Sequence, residues 1–487
     1  VTYNPLTRLL SESVMRTVLT CFCAMTFLTT TLGTAHAQGS DEQETPSYPA
    51  MNEPEQSPLI TLAKELGVRD FVHNLASKGV YFNGYYSGMT YSQAAGGRKK
   101  GTGFLNDFAY GMDLDLQRLI GLDGARIHIV LDSRFGAFNS GLNNFSGSGM
   151  GYQGGFIGPS NQTRLAEFTY EQNLFKGLLN IRVGRIASTA NLTNLPTDCQ
   201  FITFLCGNPG GWSFNANQSH WPFATWGGLV TIKPAKNYYV KTGAFSDNSW
   251  GEKRTGFPFS GDWSESNADG TFIPLEGGYS SSYATEAYPK KYSVGFYYDS
   301  HNFTDMYYNT QDMPMAFYGG SPKKNGAHTE VYFEFMQTLW KPSRQSHEDL
   351  QIFGGTYLGS SGHPMVNAYY TLGLLKHGTF PGRHHDYGGI VGVASVFNQR
   401  VTNALNAHLE AAGERGNFTR STEGLEVVYG AELLPGVLLR PYMDVIFHPD
   451  QQFSSAPNPN LTYSVGGGAQ IMIKFNEAFD APELQPF

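Results

Sequence analysis

The run Leu461–Phe475, LTYSVGGGAQIMIKF, restricts what this chain can fold into. At every second position, Tyr463, Val465, Gly467, Ala469, Ile471, Ile473 and Phe475 share one face. Thr462, Ser464, Gly466, Gly468, Gln470, Met472 and Lys474 share the other. A period of two over such a length belongs to a β-strand and excludes an amphipathic helix. An apolar face backed by small and polar residues suits a strand with lipid on one side and water on the other. A soluble sandwich gives the same alternation, so the connections between strands have to decide.

From Val80 onward the pattern predicts about 16 strands, over 80–91, 106–118, 124–135, 164–175, 178–187, 225–234, 238–247, 271–280, 290–300, 329–340, 349–359, 366–376, 387–397, 423–434, 436–448 and 461–475. Short breakers such as Lys233-Pro234-Ala235-Lys236-Asn237 and Leu434-Pro435-Gly436 join one set of neighbours. The alternate connections are mostly long: 136–163, 188–224, 248–270, 301–328 and 398–422. An even strand count with long and short connections in alternation is the layout of a transmembrane antiparallel β-barrel, with short periplasmic turns and long external loops. Closure leaves no sheet edge and no backbone group unpaired in lipid. The expected fold class is therefore all-β, a barrel in the bacterial outer membrane.

Composition agrees. Charged residues are 15% of the chain, against a typical ~25%, while aromatics reach 14% and glycine numbers 57. Past the first residues no apolar run approaches the ~20 that a membrane helix needs. A formal charge of −8 leaves no basic surface for nucleic acid, so no nucleic-acid partner is expected. Val1–Ala37 reads as a cleaved signal peptide: Arg8 and Arg16 are basic, Val18–Leu32 is apolar, and Ala35-His36-Ala37 is a small-x-small site. Residues 38–79 read as an acidic, Pro-rich linker followed by a short amphipathic helix within Leu59–Ala76, 80–475 as the pore domain, and 476–487 as a C-terminal extension.

Alternation assigns faces to charges. Arg126, His128 and Asp132 oppose Ile127, Ile129 and Leu131; Glu330 and Glu334 oppose Val331, Phe333 and Phe335. Glu426 and Glu432 oppose Leu425, Val427, Tyr429 and Leu433; Arg440 and Asp444 oppose Val437, Leu439, Met443, Val445 and Phe447. A basic side chain facing mid-bilayer costs ~2–4 kcal/mol, so the charged face is the lumen. A lumen lined by both signs holds water. Two cysteines outside the leader, Cys199 and Cys206, form one disulfide in the simplest reading of an exported chain, with a two-Cys metal site as the alternative. His384-His385-Asp386 reads as an exposed polar turn before it reads as a metal site. No G-x-S-x-G or H-E-x-x-H is present to anchor hydrolase chemistry, and neither an enzyme nor a cofactor is expected.

Several pieces in order resemble the carbohydrate-selective porins of the OprB type. Thr422-Glu423-Gly424-Leu425-Glu426-Val427-Val428-Tyr429, Leu439-Arg440-Pro441-Tyr442 and Phe447-His448-Pro449 are similar to that family's C-terminal pattern. Glu167, Glu171-Gln172 and Leu174-Phe175, followed by Arg182 and Gly184-Arg185, resemble its first-half signature. Phe204-Leu205-Cys206-Gly207 and Trp221-Pro222-Phe223-Ala224-Thr225-Trp226-Gly227 also match, so the likeness runs from about Leu66 to Phe475. The resemblance implies a sixteen-stranded barrel passing monosaccharides, Arg and Glu at its constriction, and a disulfide-closed loop folded toward the lumen. Ending past Phe475 departs from barrels that close on a terminal aromatic residue.

A sugar needs paired donors and acceptors and an aromatic surface. Arg182, Glu167 and Glu171 lie at lumen parity on neighbouring strands, and Arg185 at the opposite parity unless a bulge near Gly184 flips it. With Arg126, Glu426, Arg440 and Trp212 they form the set of constriction candidates; simple ion pairs holding the pore open are the alternative role. Trp226 reads as an interface-belt residue. The expected partners are small neutral sugars, outer-membrane lipid and the barrel-assembly machinery, in a monomer or homo-oligomer. The competing readings are a general porin, a barrel enzyme or adhesin, and a secreted carbohydrate-binding protein.

Overall fold

The computed structural model describes residues 57–136, 145–149, 161–188, 192–206, 214–217, 221–247, 255–256, 268–343, 346–451 and 457–485. The chain divides into two units, Val1–Glu42 and Gln43–Phe487, and every described residue belongs to the second. The expected signal peptide therefore lies outside the described residues, as do Trp212, His220 and Phe487.

Sixteen strands close into one antiparallel barrel in chain order, each paired with its sequence neighbours and the first with the last. They are β1 (Val80–Gly96), β2 (Thr102–Asp115), β3 (Ala125–Gly136), β4 (Gln162–Leu174), β5 (Leu179–Ile186), β6 (Thr225–Ala235), β7 (Tyr238–Asp247) and β8 (Gly270–Ser280). The second half is β9 (Lys290–Asn309), β10 (Pro322–Trp340), β11 (Asp349–Ser361), β12 (Val366–His377), β13 (Tyr387–Phe397), β14 (Ser421–Leu434), β15 (Val437–Phe447) and β16 (Tyr463–Lys474). The seam runs through Tyr86↔Ile473, Met89↔Gln470 and Ser92↔Gly467. Inside it, Gln470 Nε2 donates to Ser87 Oγ at 2.8 Å and Gln93 Nε2 to Ser464 Oγ at 2.9 Å.

Burial along the strands is inverted relative to a soluble protein. Asp132, Glu276, Asp299, Glu330, Glu334, Glu426 and Asp444 are buried, while Val294, Val331, Leu425, Val427, Leu439, Met443 and Ile471 are exposed. An exposed apolar belt around a charged interior fits lipid outside and water or packed polar groups inside. Glycine enrichment has a packing cause on the inner face. The rings of Tyr332, Tyr91 and Tyr387 occupy the space where Gly295, Gly466 and Gly430 would carry a Cβ, so large aromatics lie flat on the neighbouring strand. The tight turns use positive φ where the chain reverses at once, at Asn237 (φ 66°) and Gly436 (φ 71°).

Five places differ from the sequence expectation. The 301–328 connection is mostly strand, because β9 and β10 continue as a hairpin as far as Asn309 and from Pro322, with register shifts at Lys324 and Gly326. The 398–422 connection holds a helix, Gln399–Ala411, whose N-cap Asn398 side chain accepts from Arg400 N at 3.0 Å. Its Val401, Ala407 and Leu409 are buried, and Arg400 pairs with Asp305 of β9. The second strand stops at Asp115, whose carboxylate accepts from Gln117 N at 3.0 Å and caps the short helix Leu116–Ile120. The helix ahead of the barrel is two, α1 (Pro58–Glu65) and α2 (Val68–Ser77), broken at Gly67 with φ 70°. Finally, β16 ends at Lys474, and Phe475 opens a helical turn, Phe475–Phe479, with Asn476 Nδ2 turned to Phe82 O at 2.9 Å.

That last turn leads into a clasp. Asp480 takes Arg69 Nη2 at 2.7 Å, and its carbonyl oxygen lies 2.7 Å from His73 Nε2, so α2 is tied to the segment after β16.

Candidate functional site

The long connection after β5 does not stay outside. Of its described parts, 192–206 and 214–217 pack against the inner face of the β8–β15 wall. Phe201 and Phe204 sit where Gly389 and Gly424 leave room for a ring, and Phe201 meets Phe353 at 5.4 Å between centroids. Burying each such side chain stabilises the seat by ~1.5–3 kcal/mol.

Wall carboxylates fix the loop's backbone. Glu426 of β14 accepts from Ile202 N at 2.7 Å, Thr203 N at 2.9 Å and Thr203 Oγ1 at 2.7 Å. Glu276 of β8 accepts from Thr193 N at 3.1 Å, and Glu330 of β10 from Asn215 Nδ2 at 2.7 Å. Arg440 of β15 donates to Cys199 O at 2.7 Å, and Tyr387 OH donates to Gln200 O at 3.1 Å. Between the outer anchors at Thr193 and Asn215 lies the loop closed by the Cys199–Cys206 disulfide. Loop amides have no strand partner of their own, and carboxylates are strong acceptors for them.

The facing wall keeps its charges partly wet. His128 of β3 lies between Asp113 of β2 (Nδ1 to Oδ1, 2.7 Å) and Glu171 of β4 (Nε2 to Oε2, 3.0 Å). Asn180 Nδ2 donates to Glu171 Oε1 at 2.9 Å and Asn83 Nδ2 to Asp113 Oδ2 at 2.7 Å. Beside this row Arg182 of β5 pairs with Glu167 and donates Nε to Thr169 Oγ1 at 3.1 Å. Arg126 stands in register between Asp115 and Glu171. The contrast is exposure: the Arg182, Asp113, Glu171 and His128 side chains are 19%, 18%, 15% and 13% accessible and Glu167 lies just within the buried residues, whereas Glu426 is wholly buried.

A bulge in β4 adds Arg164 to the inner face next to this row. Between Val130↔Glu167 and Leu131↔Leu165 the register shifts, so Arg164 and Glu167 both face inward although their numbers have opposite parity. No shift occurs at Gly184, and Arg185 keeps the parity opposite to Arg182, aligned with Phe168 and Trp226. Arg185 is nonetheless buried, donating Nη2 to Ala224 O at 3.1 Å. Of the candidate residues, Glu167, Glu171, Arg182 and Arg126 thus come together on the β3–β5 wall. Glu426 and Arg440 hold the loop, and Trp212 lies outside the described residues.

Sequence reasoning missed Asp113, Asn180 and Tyr85. Trp221 Nε1 donates to Tyr85 OH at 3.3 Å, giving the open wall an aromatic edge. The inward parity of Asp113 and Asn180 was available, but their meeting with His128 and Glu171 depends on the strand register, which pairs Asp113 with His128 and sets Asn180 diagonally across from Glu171. The turn residues His384, His385 and Asp386 diverge: Nδ1 of His384 lies 2.6 Å from Glu348, Nδ1 of His385 lies 3.6 Å from Glu432, and Asp386 accepts from Arg383 Nε at 2.8 Å.

Outside the strands, His448 stands 3.1 Å from Glu423 Oε2, and that hydrogen bond raises its pKa above the usual imidazole value. Its stabilising contribution is complete below the unfolded value of ~6.5 and is lost as pH rises through the folded one. Thermal midpoints of the wild type and His448→Gln should differ slightly at pH 5.5 and converge at pH 8.5. An equal gap at both would assign the ring a packing role alone.

A lipid-clad, closed barrel with a charged lumen and a loop folded into its bore is an outer-membrane porin, a transport protein of the Gram-negative envelope and not an enzyme. The chain belongs to the family described as "Carbohydrate-selective porin, OprB family", whose model matches residues 99–475. It is 24% identical over 394 residues to Porin B of Pseudomonas aeruginosa, covering 77% of this chain and 84% of that protein. Its fold matches the high-pH structure of Pseudomonas putida OprB with a TM-score of 0.72 at 22% identity, covering 83% of this chain and 96% of that one. The low-pH structure of the same protein gives a TM-score of 0.51 at 15% identity, over 86% and 99%.

Proposed function

We propose that the chain lets small neutral sugars, monosaccharides such as glucose, diffuse passively between the folded loop and the β1–β5 wall. The observation that carries the reading is the wet row of paired donors and acceptors, Arg182, Glu167, Glu171, His128 and Asp113, opposite a loop whose own anchors are dry. Sugar hydroxyls both donate and accept, so they exchange readily with such a row, while a lone ion meets both signs at once. Tyr85 and Trp221 offer a ring face edge to a pyranose. Weak binding suits the task, since a solute that enters must leave; millimolar affinity corresponds to about −4 kcal/mol. The channel needs no cofactor, and the barrel-assembly machinery is its partner in biogenesis.

Liposomes carrying the refolded protein test this with glucose, a disaccharide, an amino acid and a small anion at matched gradients. Glucose is expected to enter severalfold faster than an amino acid of similar size. Equal entry of all small solutes would reduce the protein to a general porin. No entry through protein shown to be inserted would remove the pore.

A further inference from the structure

At the loop end of the barrel three adjacent strands bring together acidic groups that the channel does not use. Asp247 ends β7, Asp269 immediately precedes β8, and Asp299 and His301 lie on β9. The backbone fixes this meeting: Asp269 N donates to Asp247 O at 3.1 Å, and Asp247 pairs in register with Gly270. One ligand atom each from Asp247, Asp269 and His301 lies within 4.8 Å of the others.

Asp247 is the informative member. Its side chain is 0% exposed, neither carboxylate oxygen has a hydrogen bond of good geometry, and its polar neighbours are the Asn217 amide and the Asp299 carboxyl. Next to it stands Asp299, also buried, whose oxygens are already committed: Oδ2 accepts Asn217 N at 2.8 Å and Oδ1 accepts His301 N at 3.0 Å. Among the described residues no Lys or Arg pairs with Asp247, Asp269 or Asp299. His301 Nδ1 approaches Asp269 Oδ1 to 3.0 Å without hydrogen-bond geometry. A buried carboxylate with a second carboxylate beside it is a costly arrangement unless a proton or a metal cation joins it.

We propose that Asp247, Asp269 and His301 bind a divalent transition-metal ion of the zinc class at the external rim. Two carboxylate oxygens and one imidazole nitrogen form a mixed set that suits zinc and excludes the all-oxygen cage that calcium takes. Ligands at ~2.1 Å around a tetrahedral ion lie ~3.4 Å apart, so the three side chains need small rotations inward. The imidazole is already aimed. Its ring meets Phe303 edge-on at 4.7 Å, Phe303 stacks on His328 at 3.6 Å, and His328 is held by Asn215 O and Gly362 O at 2.7 and 2.8 Å. Asp299 is the positioning residue, bridging the rim to Asn217 on the return limb of the lumen loop. A bound ion would clamp β7, β8 and β9 at the mouth, whichever solute passes below.

The test uses the folded full chain, stripped with EDTA and titrated with zinc chloride, with bound metal counted by mass spectrometry and thermal midpoints followed. One zinc per chain and a raised midpoint are expected, with calcium leaving the midpoint unmoved. Asp247→Asn and His301→Gln should each weaken zinc binding about 10–100-fold, with the folded barrel verified by its heat-modifiable gel mobility. His301→Gln alters a partly exposed rim side chain and carries the test if Asp247→Asn does not fold. No zinc uptake by folded wild type, uptake unchanged in the folded variants, or a response to calcium with none to zinc would each overturn the site.

Discussion

Glu426→Ala is expected to open the channel: single-channel conductance should rise severalfold, and disaccharides should enter liposomes almost as fast as glucose. The reason is that one carboxylate satisfies three donors of the lumen loop, Ile202 N, Thr203 N and Thr203 Oγ1. Each bond to a charged acceptor contributes ~1.5–3 kcal/mol, and an orphaned buried amide costs ~1–3 kcal/mol. The loss at the loop seat is therefore on the order of several kcal/mol, while the β14 ladder to β13 and β15 keeps its backbone bonds. The barrel should survive and the constriction should not. Glu426→Gln keeps one good acceptor and should fall between the two. Unchanged conductance in a folded Glu426→Ala pore would mean that apolar packing of Phe201 and Phe204 alone seats the loop.

Arg182→Ala should slow glucose entry on the order of tenfold, equivalent to ~1.4 kcal/mol of lost interaction in the channel. Entry of a neutral solute without hydroxyls should change far less. The substitution strips a guanidinium from Glu167 and Thr169 and leaves the neighbouring carboxylates Glu167, Glu171 and Asp113 in excess. A more negative constriction favours cations, so the potassium-to-chloride permeability ratio should rise at low salt and fall back as salt screens the row. Unaltered sugar preference would take Arg182 out of the site and leave it as a brace between β4 and β5.

What could be read from the sequence follows from what lipid imposes. Inside the bilayer a strand must keep an apolar face outward, so Leu461–Phe475 and its fifteen relatives announce themselves by period two. Above the bilayer both faces of a hairpin meet water, and the constraint vanishes; this is why the outer parts of β9 and β10 read as loop. The helix Gln399–Ala411 did carry a signal, Val401, Leu405 and Leu409 at helical spacing behind an Asn cap, but it was submerged in a long connection. At the site, parity placed Glu426 and Arg440 inward without telling whether water or a loop covers them. Arg182, Glu167 and Glu171 met because they sit on adjoining strands, whereas the Ala166 bulge and the reach of His128 to both sides belong to three dimensions.

The loop's anchors all come from further along its own chain. The loop lies between β5 and β6, yet it is held by Glu276, Glu330, Tyr387, Glu426 and Arg440, all from strands that come later in the sequence. The loop's seat is therefore complete only when those strands are in the sheet. A barrel lacking any of these strands would lack part of that seat.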